Sequence, residues 1–187
     1  MSYDPAQVYQ PEADTFLLLA AAKAEVKPGD RVLEVGTGSG RIAASLVQDC
    51  DIVATDINPH AVFCARRAGL DVVRCDLFSG IRGRFDLVLF NPPYLPTQAE
   101  ERLDDWLEYA LDGGESGRET IERFAASVGG VLAPGGRILL LVSELTGISS
   151  VRELFDRYGY AAEEVSRGDA EGEALVVLRI TKKGASG

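Results

Sequence analysis

The chain of 187 residues is poor in the groups that usually staple small proteins: one histidine, one methionine, one tryptophan and three cysteines. Cys50, Cys64 and Cys75 are odd in number and lack C-x-x-C spacing, and His60 is the sole imidazole, so a disulfide framework and a zinc site are excluded as organising features. Long apolar runs are missing too. The longest, Phe16 to Ala22, is seven residues, against the roughly 18 that a membrane span requires. No basic stretch leads into an apolar segment near Met1, so no secretion signal is read and the protein is expected in the cytoplasm. Basic charge is scarce: 19 Lys and Arg against 29 Asp and Glu give a net −10, with the cations scattered. That balance argues against gripping a nucleic-acid backbone and favours encounter with a basic partner.

What is present is globular composition, 46% hydrophobic and 26% charged, in a length that buries a full core. A single domain is expected over residues 1–180, followed by a polar, Gly-ended tail at 181–187 that should fray. Apolar clusters alternate with helical patterns. Strands are expected at 31–35, 52–57, 72–75, 85–90, 137–142, 161–165 and 174–180, and helices at about 11–24, 41–47, 59–68 and 119–131. Strand, helix, strand repeated in this way implies right-handed crossovers and a mostly parallel sheet. Residues 166–173 are too few for a crossover helix, so the last two strands should form an antiparallel hairpin.

Val32-Leu33-Glu34-Val35-Gly36-Thr37-Gly38-Ser39-Gly40 is an apolar strand entering a glycine loop and then a helix. Glycines let the backbone turn tightly and let a ligand approach the free N–H groups of the helix start. Twenty residues after Gly36, the second strand ends at Asp56, where a carboxylate accepts from both hydroxyls of a ribose. A dinucleotide and S-adenosylmethionine both fit such a pair. The dinucleotide fingerprint is G-x-G-x-x-G, and here Arg41 falls where its third glycine belongs. Glu34 before the loop also suits a cationic ligand better than a pyrophosphate. At these residues the chain resembles the class I S-adenosylmethionine-dependent methyltransferases, whose strand runs into E/D-x-G-x-G-x-G. The resemblance implies a Rossmann-like α/β fold: a seven-stranded, mostly parallel sheet with an antiparallel C-terminal hairpin and helices on both faces. It also implies that Glu34 and Gly36 line the methionine end, that Gly38 contacts the cofactor, that Asp56 holds the ribose, and that Asp76 with Leu77 reads adenine.

The fourth strand stops at Asn91-Pro92-Pro93-Tyr94. Two prolines donate no backbone hydrogen bond and hold the chain extended, leaving carbonyl oxygens to accept from something else. An amide or aromatic amine nitrogen has a delocalised lone pair, so its N–H groups must be gripped before the nitrogen can meet a sulfonium methyl in line. The Asn91 side-chain oxygen and the Pro92 carbonyl are two acceptors suited to that task, and Tyr94 would lie over the planar group. Orientation of this kind supplies roughly 7 to 11 kcal/mol in favourable systems. Asn-Pro-Pro-Tyr is shared by enzymes that methylate glutamine side chains, adenine N6 and guanine N2, so the tetrapeptide leaves the acceptor open.

Val8-Tyr9-Gln10-Pro11-Glu12-Ala13-Asp14-Thr15-Phe16-Leu17-Leu18 resembles the V-Y-x-P-x-E-D-T/S-x-L-L signature of the HemK family, which methylates the glutamine of the Gly-Gly-Gln loop in release factors. One departure is Ala13, where the family usually has Glu, with Glu12 one place earlier. From the residues alone the stretch is a helix start, with Pro11 in the first turn and acids opposing the dipole. The family adds Thr15 and Asn91 as cofactor contacts, and Asn91, Pro92, Pro93 and Tyr94 as the acceptor site. Ala110-Leu111-Asp112-Gly113-Gly114-Glu115-Ser116-Gly117 resembles the family's L-D-G-G-x-x-G segment; alone it reads as one helix ending before the next. Only seven residues precede the signature, which likens the chain to the short archaeal and eukaryotic branch, whose members work with a small zinc-binding activator protein. In the usual strand order of this fold Val72 to Cys75 is an outermost, apolar strand; Asp71 and Arg74 fit equally an edge that stays wet, and the short-branch resemblance makes it the expected docking edge. The leading expectation is a release-factor glutamine N5-methyltransferase. An N-methyltransferase for nucleic-acid amines comes next, then a non-catalytic binding module, then an oxidoreductase.

Overall fold

A computed structural model describes residues 3–98, 105–170 and 172–184. The alternation read from the chain is realised as α1 Ala13–Glu25, β1 Arg31–Val35, α2 Arg41–Leu46, β2 Asp51–Asp56, α3 Pro59–Arg67, β3 Val72–Arg74 and β4 Phe85–Phe90. The second half adds α4 Trp106–Tyr109, α5 Glu119–Ser127, β5 Leu132–Ser143, α6 Ile148–Arg157, β6 Tyr160–Ala170 and β7 Glu173–Lys182. The seven strands lie in the order β3-β2-β1-β4-β5-β7-β6. All neighbours are parallel except β5–β7 and β7–β6, so the fold is the one expected, C-terminal hairpin included.

β1, β4 and the body of β5 are buried along almost their whole length, which is why they read as unbroken apolar runs rather than alternating ones. Their side chains divide between two cores. Leu33, Val88, Ile138 and Leu140 face α5 and α6, where Phe124 stacks on Phe90 at 4.6 Å. Val32, Leu87, Leu89 and Leu139 face α1, α2 and α3. No helix among the described residues is long and apolar enough to cross a membrane.

The structure corrects several boundaries. α1 begins two residues later than expected, so Pro11 lies ahead of the N-cap Glu12 rather than in the first turn. The helix expected to reach Val131 ends at Ser127, because Gly129 and Gly130 turn it into a short 3-10 segment. β6 runs to Ala170, five residues past the expected end. Its polar half pairs with the apolar β7, Ser166 opposite Val177 and Arg167 opposite Val176, and that pairing outweighs composition. β7 continues through Thr181 and Lys182, held by Ala161 and Tyr160, so these two residues leave the expected tail; 185–187 lie outside the described residues. α6 was not foreseen, although Ile148, Val151, Leu154 and Phe155 form a helical apolar face.

At the end of the sheet away from the glycine loop, Arg137 binds Asp30 at 2.7 Å and Glu25 at 3.2 Å, and Arg179 binds Glu25 at 2.6 Å. These pairs fasten the C-terminus of α1 to the sheet. Phe124 is fully buried and supports the residue just before Asn91. Phe124→Ala should therefore cost about 3–5 kcal/mol of stability. Denaturant unfolding that shows a loss under 1 kcal/mol would mean that α5 is not packed on β4 as described.

Candidate active site

Between β1 and β4 the order of strands reverses: crossovers from β1 lead one way along the sheet and those from β4 the other. The carboxyl ends of the strands at such a point open a crevice. Every residue expected in the cofactor set lines it: Thr15, Glu34, Gly36, Gly38, Asp56, Asp76, Leu77 and Asn91. So does the acceptor set Pro92, Pro93 and Tyr94. Tyr9, Asp14 and Arg123, which the sequence did not place in the site, line it as well.

The glycine loop owes its shape to buried carboxylates. Gly36, Gly38 and Gly40 take φ of 68°, 53° and 81°, a region costly for residues with a Cβ. Glu34 Oε2 accepts from Thr37 Oγ1 at 2.7 Å and from the Ala43 amide at 3.1 Å, joining the loop to the first turn of α2. Asp56 accepts from the Gly38 amide through one oxygen and the Asn58 amide through the other, both at 2.8 Å. Each of those oxygens keeps lone-pair capacity for a further donor. Asn58, not Asp56, caps α3 through the His60 amide. Burial raises both carboxyls; Glu34, with Asp56 nearby, rises from 4.5 to about 8, and Asp56 moves in the same direction.

At the far end of the crevice Leu77 adopts φ 47°, a left-handed conformation rare for a side chain of its size, directly after Asp76. The Asp76 carboxylate accepts from the Arg123 guanidinium of α5. On the opposite side Asn91 Nδ2 donates to Asp14 Oδ2 at 2.9 Å, and Asn91 Oδ1 is buried with no partner among the described residues. The glycine-rich segment expected merely to separate two helices braces this motif. The Leu95 amide donates to Leu111 O and the Gly113 amide to Leu95 O, at 3.0 and 2.9 Å. A Cβ on Gly117 would sit 2.6 Å from the Tyr94 carbonyl oxygen, so only glycine permits that approach. The sequence signal for the brace was the glycine pattern, and nothing local tied it to Tyr94.

The residues of the Methyltransferase small domain family match positions 11–106 of the chain. A Methanocaldococcus jannaschii protein named as a protein N5-glutamine methyltransferase is 37% identical, over 92% of this chain and 90% of its own. The chain belongs to the HemK family of methyltransferases. The human methyltransferase HEMK2 is 34% identical over 94% of the chain and 90% of its own length. Among solved structures, the E. cuniculi Mtq2-Trm112 complex, described as responsible for methylation of the eRF1 translation termination factor, aligns with TM-score 0.80 and 31% identity. The match covers 95% of this chain and 99% of that one. A Deinococcus radiodurans release factor glutamine methyltransferase is 36% identical, and there the match covers 72% of this chain and 53% of the relative.

The enzyme is thus a methyltransferase that uses S-adenosylmethionine, and the crevice suits that molecule. Among the described residues Asp14, Asp56 and Asp76 line it with Arg41 and Arg123, and Glu34 adds a carboxyl that ionises as pH passes about 8, an acidic lining fitting a ligand that bears a sulfonium and an ammonium. Glu34 itself is testable by pH. Because its folded pKa is raised, the stability it contributes is complete below about 4.5 and is lost as pH climbs through about 8. The lead in melting temperature of the parent over Glu34→Gln should therefore shrink from pH 5 to 8. Parallel curves for the two proteins would show that the carboxyl does not titrate in that window.

Proposed function

We propose that the protein methylates N5 of a glutamine side chain, the glutamine of the Gly-Gly-Gln loop in a translation release factor. The observation that carries this reading is Asn91 Oδ1, a buried acceptor without a partner among the described residues, next to Pro92, which has no N–H of its own. A primary amide presents two N–H donors, and the Asn91 oxygen with the Pro92 carbonyl supply two acceptors. When bound, S-adenosylmethionine supplies an electrophilic methyl. The chain's part is to fix the amide plane, shelter it beneath Tyr94 and exclude water. The methylated nitrogen sheds its proton readily, so no general base is required. Tyr9 and Tyr94 stay protonated, since burial and the nearby Asp14 carboxylate push both phenols upward. The relatives named for glutamine methylation and the acidic surface support this acceptor over an exocyclic base amine. The same reading places the enzyme in the cytoplasm with the translation machinery.

We also propose a small zinc-binding activator as partner at the β3 edge. β3 is outermost in the sheet, Val73 is 41% exposed, and the exposed Phe63 lies close by in α3. The Ala54 amide donates to Asp71 O and the Cys75 amide to Asp56 O. Alternation along a parallel strand then turns Asp71, Val73 and Cys75 toward β2, and the N–H groups of Val72 and Arg74 outward. Proline at Val73 would break the sheet itself, so the position that isolates the partner is Arg74. Arg74→Pro should abolish co-purification with the activator while the enzyme alone keeps its melting temperature within a few degrees. An intact complex would show that the partner docks elsewhere.

With labelled S-adenosylmethionine, the release factor should be methylated and its Gln→Ala variant should not. Asn91→Ala should lower kcat by on the order of 10² with cofactor affinity nearly unchanged. Equal turnover would remove Asn91 from the site, and comparable labelling of duplex DNA or transfer RNA would establish the nucleic-acid acceptor instead.

A further inference from the structure

Asp14 is 3% exposed, in the first turn of α1, and four donors converge on it. Oδ1 accepts from the Thr15 amide and from Thr15 Oγ1, while Oδ2 accepts from Tyr9 Oη at 3.0 Å and Asn91 Nδ2 at 2.9 Å. Steadying the start of α1 uses only Oδ1. The other oxygen turns away from its own helix toward a residue 77 positions along the chain. Burying a carboxylate is costly, and helix stabilisation alone can be had at the surface without that cost.

The chemistry at Asn91 explains the placement. The two ends of a primary amide are nearly the same size but opposite in function: one accepts and the other donates. A half-turn about the last side-chain torsion would present Nδ2 to the substrate, and a donor facing the donors of a substrate amide cannot hold it. Nothing in the covalent structure of asparagine selects the productive orientation. A carboxylate selects it, because it only accepts: it attracts Nδ2 and repels Oδ1. We infer that Asp14 is a positioning residue that locks the Asn91 amide with its oxygen toward the substrate, the inference resting on the role of Asn91 proposed above. Tyr9 and Thr15 hold the carboxylate in place, so the lock is fixed at one end to α1 and at the other to the end of β4.

Asp14→Asn keeps the size and an acceptor for the Thr15 amide but can meet Asn91 with either end of its own amide. With the release factor as acceptor and S-adenosylmethionine at saturation, its kcat should fall about tenfold or more, orientation errors of this kind being worth up to 10². The same substitution in an Asn91→Ala background should lower kcat no further. A structural role would instead add its own loss in both backgrounds, and that result overturns the inference, as does a fully active Asp14→Asn. Full activity of Asn91→Ala alone would fail the proposed role of Asn91 and the lock with it, whereas loss there beside an active Asp14→Asn fails only the lock. The unsubstituted protein gives a reading independent of whether variants fold. In side-chain amide 15N–1H spectra, the Asn91 NH2 protons should exchange at least tenfold more slowly than those of the exposed Gln48. Equal exchange rates would overturn the assignment.

Discussion

Three carboxylates, those of Asp14, Glu34 and Asp56, are almost wholly removed from water, and the catalytic end of the sheet is arranged around the requirement to give each of them donors. Their partners are backbone amides and side chains of loops that would otherwise have little to hold them: Gly38, Thr37, Ala43, Asn58, Thr15 and Asn91. The apolar cores position the strands, and the buried acids position what lies beyond the strand ends. Charge that would be a burden in an ordinary core here converts loop conformation into a defined cradle, with an acidic lining that also suits a cationic methyl donor.

The acceptor motif is held from three directions. Asp14 reaches Asn91 from α1, Phe124 stacks beneath Phe90 from α5, and the segment from Leu111 to Gly117 is laced to Leu95 and packed against Tyr94. A tetrapeptide with two prolines has few backbone hydrogen bonds of its own, so its geometry must come from neighbours. Such support is what preorganisation means in atomic terms: in the role proposed for this motif, none of the binding energy would be spent on arranging it.

The strands that carry the site were legible because burial on both faces leaves a simple trace. β1 and β4 were read at their observed bounds, and β2 within one residue at each end. That the glycine loop, Asp56 and Asn-Pro-Pro-Tyr would meet in one crevice was legible for a similar reason, since each is a short, contiguous stretch at a strand end. Of the features that escaped, three share a cause. Asp14 looked like an acid favouring a helix start because its decisive partner is 77 residues distant. Gly117 looked like punctuation because the atom that forbids a side chain there belongs to Tyr94. The polar half of β6 looked like a loop because the strand that recruits it, β7, is the apolar one. In each of these three a contact distant in sequence overrides a local pattern.

α1 is tied at both ends by charge: Asp14 to Asn91 at the crevice, and Glu25 to Arg137 and Arg179 at the opposite end of the sheet. Glu25 lies eleven positions after Asp14, close to three full turns, so one face of the helix carries both anchors. The helix therefore works as a ruler whose length and phase are fixed together. Inserting or deleting a single residue would swing one anchor about 100° around the axis and shift it about 1.5 Å along it. Among relatives, the stretch between these two acids should tolerate substitution on its outer face and scarcely any change of length, even though it contributes no strand to the sheet.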